Sequence, residues 1–157
     1  MTTTRVDRFP SKRVPIWLLP AFLSLLLLNG AAFAAPSVSI EVAIAQASHE
    51  GSAIDPALSK MKSKLQSMFN YTSYKMLDRQ KRTIPVGSTG EIPLPGNRVL
   101  KATPASLDGT KIKLNVQILE GGKDKLTTSL GLNKGGMVLV GGPSYQNGVL
   151  ILIISAE

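Results

Sequence analysis

Hydrophobic and polar residues change their period several times along this chain, and each change marks an element. From Ser37 to Ala47, Val38, Ile40, Val42 and Ile44 alternate with residues such as Ser39 and Glu41, the two-residue period of a strand with one covered face. Ser48-His49-Glu50-Gly51-Ser52 reads as a loop. Asp55-Pro56 is a helix-start signal, because the aspartate can accept from orphan N–H groups and proline fits the first helical position. Leu58, Met61, Leu65, Met68 and Phe69 then fall on one stripe at helical spacing, with Ser59, Lys60, Ser63 and Ser67 away from it and Lys62 and Lys64 at its margins. The spacing predicts one amphipathic helix from Asp55 to about Phe69.

From Tyr71 the period returns to two. Tyr74 and Met76 flank Lys75, a short piece follows from Thr83 to Val86, and Gly87-Ser88-Thr89-Gly90 makes a turn. Ile92 and Leu94 precede the turn Pro95-Gly96-Asn97, and Val99 to Thr103 reads as the next strand. The clearest alternation runs from Thr110 to Leu119, where Ile112, Leu114, Val116 and Ile118 interleave with Lys111, Lys113, Asn115 and Gln117. That is a half-exposed antiparallel strand. Gly121-Gly122-Lys123-Asp124 turns it back into Leu126, Thr128, Leu130 and Leu132, and Asn133 to Gly136 leads to the tail. There, two unbroken apolar runs, Met137 to Val140 and Val149 to Ile154, flank a loop rich in Gly, Pro and Asn. Continuous apolar strands of this kind need cover on both faces.

The order strand, helix, then many short antiparallel strands predicts an α+β domain. It is mainly antiparallel β, a sheet or small sandwich, with one amphipathic helix packed on it and the tail strands at its centre. No repeat or second domain interrupts residues 35–157.

The amino-terminal segment carries a different signal. Arg5, Arg8, Lys12 and Arg13 precede an apolar run from Ile16 to Leu28, and Ala32-Phe33-Ala34 sets small residues where a signal peptidase reads. Residues 1–34 are therefore expected to be a Sec-type signal peptide and the product to be periplasmic or secreted. The alternative is an uncleaved membrane anchor, against which Pro15, Pro20 and Asn29-Gly30 argue. Membrane contact is expected only through that segment.

Composition changes the picture in two ways. The chain of 157 residues has no cysteine, which excludes disulfides, thiolate metal sites and a lipid-bearing cysteine. Its formal charge of +8 falls to +5 on loss of residues 1–34, leaving 14 Lys and Arg against 9 Asp and Glu. Such a charge outside the cytoplasm suits an envelope protein or an anionic polymer as partner and makes nucleic acid an unsuitable one.

Catalytic constellations are thin. His49 is the only histidine, beside Glu50 and near Asp55, whereas a zinc site takes three or four protein ligands. No Gly-x-Ser-x-Gly elbow is present, and one histidine would have to serve every serine as base. Gly136 to Gly141 has phosphate-loop glycine spacing, but Gly142-Pro143 stands where the required lysine and hydroxyl would be. The nine carboxylates are scattered. No cofactor, metal or catalytic residue is implied. The remaining candidates are cations: Arg79, Lys81 and Arg82 form a cluster, and Lys111 and Lys113, with Lys123 and Lys125, extend it if the sheet brings them to one face. The alternative is a solvated, edge-protecting set.

The succession of a signal peptide, a Val-rich strand, a Leu/Met helix, Tyr74-Lys75-Met76-Leu77, Leu94-Pro95-Gly96-Asn97-Arg98 and a Gly-Gly-x-x-Leu-Val-Gly-Gly-Pro tail ending in Leu-Ile-Leu-Ile-Ile resembles a group of small, uncharacterised exported bacterial proteins. The tail is also similar to Gly-Gly-rich strands of outer-membrane secretion channels. These motifs are turn and core residues, so the resemblance implies a fold and no activity. The expected function is a non-enzymatic envelope module that binds or scaffolds another component through sheet edges and loops. The alternatives are a binder of anionic glycan or lipid through a basic face and, third, an atypical hydrolase. Mass spectrometry of the protein from its native envelope should find an amino terminus at Ala35 or Pro36; an intact Met1 or Thr2 terminus would refute cleavage.

Overall fold

Residues 35–157 are described by the computed structural model and build eight strands and one short helical segment. The signal-peptide expectation falls on residues 1–34, outside the described residues. In chain order the elements are β1 (Ser37–Ser48), a 3-10 helix (Pro56–Met61) running into α1 (Lys62–Met68), β2 (Ser73–Pro85), β3 (Gly90–Leu94), β4 (Arg98–Asp108), β5 (Lys111–Glu120), β6 (Lys123–Asn133), β7 (Met137–Tyr145) and β8 (Gly148–Ala156). All strand pairs are antiparallel and form two four-stranded sheets, ordered β2-β1-β8-β7 and β3-β4-β5-β6. The second sheet is a simple meander.

Alternation along β1 and β8 explains how the layers stack. Val38, Ile40, Val42 and Ile44 share one face with Leu150, Leu152 and Ile154, and they pack against Ile92, Leu100, Ile112, Leu114, Val116 and Ile118 of the second sheet. This is the core of a sandwich. The opposite face of the same two strands presents Ala43, Ala45, Ala47, Ile151 and Ile153, covered by Leu58, Leu65 and the ring of Tyr74. The alanines of β1 are small because the helical segment lies over them. The order of layers is thus helix, sheet, sheet, and β8 is the strand buried on both sides: Leu150, Ile151, Leu152, Ile153 and Ile154 are all buried.

The helical segment differs in detail from its sequence pattern. Asp55 caps as expected, its Oδ1 accepting from the Ala57 N–H at 2.9 Å. Its other carboxylate oxygen accepts from the Met76 N–H of β2 at 3.3 Å. The first turn so anchored is 3-10, and α-helical geometry begins only at Lys62. Leu58 and Leu65 are buried, Met61 and Phe69 half-buried, and Met68 is exposed. The end is tied by the Tyr74 hydroxyl, which donates to the carbonyl oxygens of Phe69 at 2.9 Å and Leu65 at 3.2 Å. Burial raises the Tyr74 pKa, so that hydroxyl stays protonated as the donor this contact needs.

Two sequence expectations need correction. The pieces Tyr74–Met76 and Thr83–Val86 are ends of one long strand, β2, which passes through the charged stretch between them because pairing with β1 extends its whole length. The tail hairpin forms, yet only β8 is central. β7 lies at the edge of its sheet with mixed exposure, because β8 takes β1 as its other neighbour.

Two packing tests follow from the layers. Leu65→Ala should destabilise the protein by roughly 2–5 kcal/mol in denaturant unfolding, with exposed Lys60→Ala near neutral. Ile151→Asp and Leu152→Asp, which face the helix layer and the sandwich core respectively, should each abolish soluble folding, read by circular dichroism and gel filtration.

Candidate functional site

A sandwich has four sheet edges, and each exposed edge carries unpaired backbone groups that can accept another strand. Here the edges are β2, β7, β3 and β6. β2 carries Lys75, Asp78, Arg79, Lys81 and Arg82, and β3 is five residues long with Pro93 inside it. β7 is broken by a bulge between Gly141 and Ser144 that contains Pro143. Those three have the features that discourage strand addition. β6 lacks them: after an irregularity near Lys125, residues 126–133 read Leu-Thr-Thr-Ser-Leu-Gly-Leu-Asn, with neither proline nor charge. That stretch pairs regularly with β5 on one side and has no strand on the other.

A groove of about 540 Å³ runs beside this edge, lined by residues from the β4 end (Ser106, Asp108), from β5 (Lys111 to Lys113) and from β6 (Ser129 to Asn133). Its floor follows from cross-strand pairing: Lys113 stands opposite Gly131, and the missing side chain leaves open space above the sheet. A Cβ added at Gly131 would meet nothing within 4 Å. Above the groove, hydroxyls and amides continue across the outer face. Ser129 donates to Asn115 Oδ1 at 2.7 Å, the Thr89 and Thr103 hydroxyls lie 2.7 Å apart, and Asp124 accepts from Thr127 at 2.7 Å and Gln117 at 3.1 Å.

The candidate cations do not form one patch. Arg79 and Lys81 lie on the outer face of the first sheet, the side that carries the helical segment, where Arg79 pairs with Glu41 at 3.2 Å and Lys81 with Glu157 at 3.1 Å. Arg82 alternates to the other side of β2 and is exposed. Lys111 and Lys113 point away from the sandwich core on the outer face of the second sheet, opposite the face of Arg79 and Lys81. They belong to the groove. Lys125 is 3.0 Å from Glu120, and Lys123 pairs in register with Glu120 at the β5–β6 turn. Strand alternation alone separates these groups, since residues two apart share a face and the two sheets turn their outer faces in opposite directions.

Arg98 is a cation that sequence reasoning treated only as part of a turn motif. Its side chain is 10% exposed, and it lies 2.6 Å from Glu120. It also donates to the carbonyl oxygens of Ser144 at 2.8 Å and Pro95 at 3.2 Å, so one guanidinium ties the second sheet to β7 of the first. Its Nε is buried with no acceptor among the described residues. Gly96 makes room for it: a Cβ there would stand 2.5 Å from Arg98 Nη1, and Gly96 has φ +83°.

His49 stands in a loop with its ring 4.8 Å from that of Tyr71. Among the described residues no three His, Asp or Glu side chains are grouped as metal ligands. No helix there is long and apolar enough to cross a membrane. Comparison of the chain with protein-family models, curated proteins and solved structures returns no match.

Two carboxylates at the β5–β6 turn titrate below their ordinary values. Glu120 is lowered chiefly by the hydrogen bond from Lys125, with Arg98 adding to it, and Asp124 by hydrogen bonds from Thr127 and then Gln117. A depressed folded-state pKa contributes stability that is present above the unfolded pKa and is lost as pH falls through the folded one. Melting temperature should therefore drop on acidification below the ordinary carboxylate range. Glu120→Gln should lower it at neutral pH and flatten that acid-side slope.

Proposed function

We propose that this protein is a non-enzymatic, exported envelope module that binds or scaffolds another envelope component by taking an extended segment of it against β6. The observation that carries the reading is the contrast among the four edges: residues 126–133 form the one long run without proline, charge or an internal bulge. Backbone pairing at such an edge supplies affinity, and side chains at alternate positions supply selectivity. The groove is walled on one side by Ser129 to Asn133 of that same edge strand. Lys111 and Lys113, which have no ion-pair partner among the described residues, favour a segment with an acidic side chain there. Export rests on the signal pattern of residues 1–34.

Binding of an anionic glycan or lipid through one basic face is less well supported. Arg79 and Lys81 have carboxylate partners and lie on the face opposite Lys111 and Lys113.

A photo-crosslinking residue placed at Ser129 in cells should give a discrete adduct with an envelope protein, and the same residue at Lys60, on the helix side, should not. Gly131→Thr, which fills the groove, should weaken capture about tenfold or more while leaving the melting temperature nearly unchanged, and Thr127→Lys, which puts charge on the open edge and removes the hydrogen bond to Asp124, should weaken capture as much with a small fall in melting temperature. Equal adducts from both positions, or capture indifferent to both substitutions, would overturn the reading.

A further inference from the structure

At one end of the first sheet, far in the chain from the β6 edge, three segments meet in a pit of about 260 Å³. It is lined by Gln46 and Ser48 at the end of β1, Glu50 in the loop after it, Lys75 near the start of β2, and Gln146 and Asn147 in the β7–β8 turn. Every one of these side chains is polar.

The turn that closes the pit is held in an expensive shape. Tyr145 pairs with Gly148, so Gln146 and Asn147 form a two-residue loop whose first member has φ +50°. Glycine fits that conformation without strain, and a residue with a Cβ is disfavoured there. The chain keeps a long amide instead, and that amide reaches across the pit to accept from Gln46 Nε2 at 3.3 Å. Asn147 Nδ2 donates to Glu50 Oε1. Gly148 lets the turn lie close, since a Cβ there would collide with the Ala47 carbonyl oxygen. A non-glycine residue in the left-handed region, with its side chain committed to a polar pit, is the kind of local strain that accompanies a binding function.

The groups left over define the ligand. Gln46 Oε1, Asn147 Oδ1 and Glu50 Oε2 are acceptors with no protein partner among the described residues, and the Lys75 ammonium is a donor in the same position. The Gln146 amide also has donors to offer, meeting only the Tyr145 hydroxyl at 3.5 Å. One carboxylate and one ammonium leave no preference for a charged ligand. Interleaved acceptors and donors suit adjacent hydroxyl groups, which each donate and accept. We infer that this pit binds one ring of a neutral sugar, whose hydroxyls donate to Gln46, Asn147 and Glu50 and accept from Gln146. The site is separate from the strand-accepting edge and does not depend on it.

The test is a nuclear magnetic resonance titration of residues 35–157 with methyl glucoside and with N-acetylglucosamine. At least one should move the side-chain amide signals of Gln46, Gln146 and Asn147, with a dissociation constant on the order of 1 mM. Gln146→Gly relieves the backbone strain, so its melting temperature should hold or rise, while sugar binding weakens about tenfold or more. Glu50→Ala should weaken binding similarly, and Thr127→Lys on β6 should leave it unchanged. Unmoved amide signals for both sugars at a concentration about ten times that dissociation constant overturn the inference. So does undiminished binding by Gln146→Gly, or binding only of glucuronate or of a free amino acid.

Discussion

Burial of β8 on both faces is the constraint on which the other layers depend. A strand reading Leu150-Ile151-Leu152-Ile153-Ile154 has no side that can face water, so it must be covered twice. The second sheet covers one side through Ile112, Leu114, Val116 and Ile118, and the helical segment covers the other through Leu58 and Leu65. β1 shares the burden: its aliphatic residues face the sandwich core, and its alanines leave room for the helix. Tyr74 and Asp55 then fasten the two ends of the helical cover to β2 and the chain around it. Each attachment puts a polar group where it has a partner, so the cover is fixed without burying unpaired groups.

The arrangement fills its interior with apolar side chains and leaves polar groups at edges and ends. No polar or charged residue is buried among the described residues, and the largely buried guanidinium of Arg98 works as a cross-tie between sheets. Removing that side chain would take the donor from the Ser144 and Pro95 carbonyl oxygens, while Glu120 would keep Lys125. Among the described residues, depressions in the surface include the groove beside β6 and the polar pit beside the β7–β8 turn. The first lies at β6 and its neighbours, the second at the ends of β1 and β2 and in the β7–β8 turn.

Most strands were legible because alternation is local. The pattern of β5 placed Ile112, Leu114, Val116 and Ile118 inward and Lys111 and Lys113 outward, as observed. The helix stripe was right at Leu58 and Leu65 and failed at Met68, since a first turn wound as 3-10 shifts the stripe relative to a continuous α-helix. β2 was split in two because its middle is charged, and nothing local reveals that pairing with β1 carries a strand through such residues. The candidate cations were chosen from sequence proximity, and the sheets then placed them on opposite faces.

By itself the sequence determined the existence of most strands, the two-sided burial of β8, the capped start of the helical segment and the lack of cysteine chemistry. Those properties depend on periodicity, turn residues and composition, which act over a few residues. Only the tertiary structure decided that β6 is an open edge while β8 is central, that Gly131 leaves a groove opposite Lys113, and that Gln46 meets Gln146. These depend on which strands become neighbours. Neighbours are chosen by the burial of whole faces, a long-range competition that leaves no mark in any short stretch of the chain.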